Sequence, residues 1–131
     1  MYIPPGFNTV TPYIFANDAE TLVAFLIAGL GGVETLRSVR DDGRIANVQV
    51  SIGTSTIMLS EASPGYPAMP ASYYLYVENA DASMRQAIAA GAVVEMDVQD
   101  MPYGDRQGGV RDPAGNIWWI SQRLVQEPYA V

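Results

Sequence analysis

Histidine and cysteine are both absent from this chain, and that decides much of the chemistry it can do. Without an imidazole there is no usual general base at neutral pH and no usual ligand for zinc, nickel or iron. A catalytic triad is excluded on the same ground. Disulfides and thiolate chemistry are excluded by the missing cysteines. Acid–base work would fall to tyrosines, which serve only once their pKa is lowered. Two arginines remain as candidates for chemistry. Arg106 follows Asp105, and Arg111 precedes Asp112. A guanidinium facing a cavity would bind a carboxylate or a phosphate. The alternative is that both arginines pair with these acidic neighbours and brace the last turn. Tyr103 lies in Met101-Pro102-Tyr103-Gly104, which cannot be regular strand and would sit near a cavity mouth.

The elements that must position these residues are written twice. An offset of 61 residues carries Tyr13 onto Tyr74, Ala19 onto Ala80, Ile27 onto Ile88, Val33 onto Val94, Glu34 onto Glu95 and Ser60 onto Ser121. Ile14 with Leu75, Phe15 with Tyr76 and Leu59 with Ile120 match in kind. Such a repeat implies two copies of one supersecondary unit sharing a core. The first module covers 9–60. It reads as a strand over Thr9 to Ala16, a helix over Ala19 to Ala28, and strands over Val33 to Val39, around Val48 to Ile52, and over Thr56 to Ser60. Asn17 or Asp18 caps the helix, Asn17 with Glu20 resembling a capping box. Leu22, Phe25 and Leu26 form its apolar stripe. Asp41-Asp42-Gly43 signals a hairpin. A proline-rich linker follows over 61–71. The second module, 72–122, repeats the order. Its helix runs from Ala80 to Ala90 behind Asn79, with Met84, Ala87 and Ile88 buried. Its strands are Ser72 to Glu78, Val93 to Gln99, Gly108 to Arg111 and Asn116 to Gln122. A tail, 123–131, lies over the surface. The fold class is α+β: two βαβββ modules forming a cupped mixed sheet with helices on the outer face, in a single domain over 1–131.

Composition sets the remaining bounds. At 131 residues, one domain buries roughly 65–70% of its unfolded surface. The net charge of −7 opposes nucleic-acid or anionic-membrane binding, because phosphates need a basic patch. It either serves solubility or attracts a cationic ligand. No apolar run is long enough to span a bilayer. The first residues show no basic start or signal-peptide core, so a cytoplasmic location is expected.

Tyr103-Gly104-Asp105-Arg106, followed by Gly109-Val110-Arg111-Asp112-Pro113-Ala114-Gly115-Asn116-Ile117-Trp118, resembles the vicinal-oxygen-chelate superfamily of glyoxalase I, extradiol dioxygenases and bleomycin-resistance proteins. Thr11-Pro12-Tyr13 and the Tyr-Gly-Asp-Arg stretch look most like its PhnB-like branch. The resemblance covers roughly Val10 to Gln122. The Asp-Pro-x-Gly-Asn turn has physics of its own: proline presets φ, glycine permits a positive φ, and Asp112 can accept backbone N–H bonds. Metal-dependent members of the superfamily use four ligands, usually His or Glu, from the opening and closing strands of both modules. Aligned onto this chain, those positions fall on Thr11, Met58, Ser72 and Trp119. Thr11 with Ser72, and Met58 with Trp119, obey the offset of the repeat. None of the four is a useful ligand for a divalent transition metal. The resemblance therefore implies a protein with no metal and no cofactor. Glu61 is the nearest carboxylate, and alone it would hold a metal poorly.

Strand alternation from these four anchors sets the expected lining of the cup. It turns Tyr13 and Phe15, Tyr74 and Tyr76, Thr56 and Ser60, and Ile117 and Ser121 inward. Ile14, Leu75, Val77, Ile57, Leu59, Trp118 and Ile120 face the helices. The expected ligand-binding set is Thr11, Tyr13, Phe15, Met58, Ser72, Tyr74, Tyr76 and Trp119. An aromatic lining with hydroxyls suits a flat apolar or cationic ligand; alternatively the aromatics fill the cup. The first functional expectation is a binding protein that sequesters a small aromatic or cationic molecule, as drug-binding members of the superfamily do. The second is a lyase, isomerase or dioxygenase-like enzyme acting on a small metabolite with the tyrosines or Glu61. The third is a vestigial or regulatory domain. Family members commonly pair their modules across a twofold axis, so a homodimer is implied.

Overall fold

The computed structural model describes residues 1–130. It contains β1 (Tyr13–Ala16), α1 (Ala19–Leu30), β2 (Val33–Val39), β3 (Ile45–Ile52), β4 (Ser55–Glu61), β5 (Ser72–Tyr76), α2 (Ala80–Ala89), β6 (Val93–Asp100), β7 (Asp105–Arg111) and β8 (Ile117–Arg123). This is βαβββ written twice, an α+β fold. Each module is one four-stranded mixed sheet, ordered β1-β4-β3-β2 and β5-β8-β7-β6. The opening strand of each module pairs in parallel with its closing strand, and the other pairings are antiparallel. The repeat holds in register: Tyr13 lies beside Met58, and Tyr74 beside Trp119.

Asp18 caps α1 from a left-handed conformation (φ 55°, ψ 59°), accepting from the Thr21 N–H at 3.3 Å and the Thr21 hydroxyl at 2.6 Å. The Asn17–Glu20 box does not form, because Asp18 is the cap and Glu20 falls one position short of the box; its carboxylate pairs with Arg37 instead. The helix runs on through Leu30 and ends at Gly31, whose φ of 72° suits glycine. Asn79 caps α2 through the Ala82 N–H at 3.0 Å.

One face of each sheet carries a helix. Ile14, Val48, Val50 and Leu59 pack with Leu22, Phe25 and Leu26 of α1, while Val110, Trp118 and Ile120 join Met84 and Ala87 of α2 in the same core. Ile88 is largely exposed instead, pointing away from the sheet while Met84 and Ala87 take the buried stripe. The helices touch closely. A Cβ on Gly29 would lie 3.1 Å from that of Ala90, and Gln86 Nε2 donates to Ala28 O at 3.0 Å. On the second sheet, Met84 fills the space where a Gly108 side chain would stand. Among the described residues, no helix is long and apolar enough to cross a membrane.

Candidate functional site

The strand periodicity leaves the other face of each sheet free of helices, and the two faces differ. On the first sheet the Tyr13 and Phe15 rings lie 4.9 Å apart, and Tyr66 of the linker comes within 5.6 Å of Phe15. The Tyr13 hydroxyl is 2.6 Å from Ser60 Oγ, which donates to Ala46 O at 2.7 Å. Thr11 and Met58 line a pocket of about 510 Å³ with Tyr2, Phe7 and Gln49. The N-terminal segment forms much of its wall, and Thr56 is buried beneath that segment through a 2.6 Å bond from its hydroxyl to Gly6 O.

On the second sheet, Tyr74 and Trp119 line a pocket of about 320 Å³ with Met96, Met101, Tyr103 and Gln107. The indole of Trp119 lies against Gly109, where a Cβ would meet its ring at 2.8 Å. Trp119 stays half-buried on this face. Its neighbour Trp118 is buried on the helix side, where Nε1 donates to Asp112 Oδ2 at 2.8 Å. Tyr76 also belongs to this face, while Ser72 is exposed at the start of β5. The eight expected ligand-binding residues thus divide four and four between two sheets, and among the described residues neither face's pocket contains members of both sets.

The feature that sequence reading missed is Asp105. This carboxylate is fully buried on the second face. Oδ2 accepts from the hydroxyls of Tyr74 and Tyr129, each at 2.6 Å, and Oδ1 accepts from Arg123 Nη1 at 2.9 Å. Burial pushes its pKa up, but the hydrogen bonds from Tyr129, Tyr74 and Arg123 outweigh burial and hold it below the ordinary carboxylate value. Burial and the adjoining carboxylate push the Tyr74 phenol up to about 12. The same causes raise Tyr129 further. The signal was in the register: Asp105 falls opposite Arg123, three residues before one expected strand and one residue after the other. β7 begins at Asp105 rather than at Gly108.

The two arginines singled out by sequence choose other partners. Arg106 pairs with Asp81 and Asp100, and Arg111 with Glu95. Neither bonds its sequence neighbour: alternation turns Asp105 and Arg106 to opposite faces, and Asp112 accepts from donors of its own turn and from Trp118 instead. Tyr103 does reach the pocket, its hydroxyl bonded to Gln107 Oε1. Asp112 accepts from the backbone of Ala114 and Asn116, from Asn116 Nδ2 and from Trp118. Glu61 binds the start of α1, accepting from the Asp18 and Ala19 N–H groups at 3.0 and 2.9 Å. Its repeat equivalent Gln122 accepts from Ala80 at 3.0 Å. Glu61 is therefore a helix cap, with its oxygens turned away from the ligand faces.

A model of the Glyoxalase/Bleomycin resistance protein/Dioxygenase superfamily matches residues 6–120. The chain belongs to this superfamily. It is 30% identical over 124 residues to Rv0887c, an uncharacterized protein of Mycobacterium tuberculosis (strain ATCC 25618 / H37Rv), covering 86% of this chain and 73% of the relative. Among solved structures it resembles TnmS3, an antibiotic binding protein from Streptomyces sp. CB03234. The TM-score is 0.72 at 21% identity, over 94% of this chain and 98% of that one. It also resembles the PhnB protein from Bacillus cereus, at TM-score 0.69 and 17% identity over 88% and 99%. What it shares with these two structures is the fold. The four positions that the resemblance aligns with the superfamily's metal ligands carry a hydroxyl, a thioether, a second hydroxyl and an indole, a set that does not fit a divalent transition metal. Thr11 and Met58 line one pocket and Trp119 another. Among the described residues, no three carboxylates gather as a metal site would require.

Proposed function

We propose that this protein binds a small aromatic or cationic molecule without a metal, using Thr11, Tyr13, Phe15 and Met58 on one sheet and Ser72, Tyr74, Tyr76 and Trp119 on the other. The observation that carries this reading is the second-sheet pocket of Trp119, Tyr74, Tyr103, Met96 and Met101. Flat π-faces and adaptable thioethers suit a stacked ring system. The net charge of −7 favours approach of a cation. That TnmS3 is an antibiotic binding protein supports binding as the role of the fold here. The state of Tyr74 favours a binding role for that residue: a phenol held near 12 is a poor general base at neutral pH.

The reading extends to a homodimer. With each ligand face on its own sheet and the helix-bearing faces sharing a core, a second copy can set its first-module face against the second-module face of its partner. Light scattering should give twice the 14.2 kDa chain mass; a monomer at micromolar concentration would refute the pairing. A thermal-shift screen of cationic aromatic drugs and common metabolites tests binding. A ligand at 100 times its dissociation constant adds about 2.7 kcal/mol. No shift from any compound, with the faces accessible, would count against the reading.

A further inference from the structure

After β8 the chain turns back over the second sheet. Leu124 N donates to Gly104 O at 2.9 Å, and Arg123 Nη2 donates to Glu127 O at 2.6 Å. These bonds deliver Tyr129 to Asp105. The phenol donates to Oδ2 and lies 2.7 Å from the Tyr76 hydroxyl, and the Arg123 guanidinium carbon stands 4.1 Å from the ring centroid. The Tyr103 ring lies 6.4 Å away, centroid to centroid. Tyr129 nevertheless remains 50% exposed, and every residue from Leu124 to Ala130 is exposed. Polar contacts and one cation–π contact hold this segment, with little apolar burial behind them. Asp105, in contrast, is fully buried and requires its donors.

We propose that Asp105, Tyr74 and Arg123 form a receptor for a hydroxyaromatic ring, and that Tyr129 occupies it as a tethered stand-in until such a ligand displaces it. The ligand's hydroxyl donates to Asp105 Oδ2 in place of the Tyr129 phenol, and its ring takes the place under Arg123. Tyr74 belongs both to this receptor and to the pocket of Trp119, Met96 and Met101, so a larger ring system extends into that pocket. A cationic head is disfavoured at this point, because Arg123 already lies 2.9 Å from the same carboxylate. The inference rests on the binding role proposed above and narrows it to a ligand class. It also makes the natural chain a self-competing binder. A short tether holds its own occupant at an effective concentration on the order of millimolar, so removing that occupant strengthens binding.

Calorimetry on the full chain and on Tyr129→Ala tests this with 4-ethylphenol, with its methyl ether 4-ethylanisole, and with the cationic dye acriflavine. A thermal melt verifies that the variant is folded. Tyr129→Ala is expected to bind 4-ethylphenol about tenfold or more tightly than the natural chain, consistent with removal of a tethered competitor. It should also prefer the phenol over the ether by about tenfold, as one hydrogen bond to a charged acceptor predicts. Equal affinity for phenol and ether, or no gain on removing Tyr129, overturns the receptor. In that case acriflavine binding leaves the broader binding role standing, and failure of all three probes on both proteins removes the role as well. Asp105→Asn in the Tyr129→Ala background, if folded, should abolish the preference for the phenol.

Discussion

Asp112→Asn should destabilise the protein chiefly through one indole. In the native turn, Oδ1 accepts from Ala114 N, Asn116 N and Asn116 Nδ2, and Oδ2 accepts from Asn116 Nδ2 and from Trp118 Nε1 at 2.8 Å. An asparagine can keep its carbonyl at only one of these places. The backbone donors fix the carbonyl at Oδ1, so the new amide N–H₂ group faces the Trp118 N–H. Trp118 is buried, so water cannot repair the loss. An unsatisfied buried donor costs about 1–3 kcal/mol, and more against a second donor. The reference is a domain whose total stability is on the order of 5–15 kcal/mol. Trp118→Phe removes the donor while keeping most of the ring. In that background Asp112→Asn should cost less by about 1–3 kcal/mol, a coupling that a double-mutant cycle isolates. Urea unfolding followed by far-UV circular dichroism reads all four proteins without relying on the indole. If Asp112→Asn costs the same in the Trp118→Phe background as in the natural chain, the indole bond is not what the carboxylate secures. The result bears on function because Trp118 and Trp119 are adjacent on β8. Anchoring one on the helix side commits the other to the ligand face.

Three further outcomes are expected. Trp119→Ala should weaken binding of a stacked ligand by roughly 1–3 kcal/mol, the usual worth of an aromatic platform, as measured by calorimetry; unchanged affinity would remove Trp119 from the site. Glu61→Ala should cost about 1–2 kcal/mol in urea unfolding, since it strips the Asp18 and Ala19 N–H groups of their acceptor; a neutral result would mean that water replaces it. Asp105 has a depressed folded pKa relative to 3.8, so its contribution is present above that pH and is lost as pH falls through the folded value. Asp105→Asn should therefore flatten the loss of stability below about pH 4, and an unchanged acid limb would contradict the assigned hydrogen bonds.

The fold was legible because the repeat and the strand alternation report the same object. Tyr13 and Tyr74, separated by 61 in sequence, occupy equivalent places beside Met58 and Trp119. The burial of Trp118 and the half-exposure of Trp119 follow from the period of two. Long-range polar choices were not legible in this way. Nothing local tells Arg106 to prefer Asp81 on α2 over the adjacent Asp105, or Glu61 to cap a helix that starts 42 residues earlier. Tyr129 is the clearest case. A tyrosine in an irregular tail carries no periodicity, and only the turn back from Arg123 brings it to a buried carboxylate. The sharing of ligand faces between two sheets was equally hidden, because alternation assigns a side within a sheet and says nothing of how two sheets are set.

Glu61 and Gln122 have a consequence for motion. Each sits at the end of its module's closing strand and holds the first turn of that module's own helix. Each βαβββ unit is thereby fastened to itself. Across the modules the described residues make a single side-chain hydrogen bond, from Gln86 to Ala28, alongside the apolar contact of α1 with α2. Amide hydrogen exchange should accordingly sort the backbone into two cooperative blocks with the proline-rich connection as their border. Strands β4 and β8 would be protected by separate openings, so the ligand face of one module could loosen while the other keeps its order.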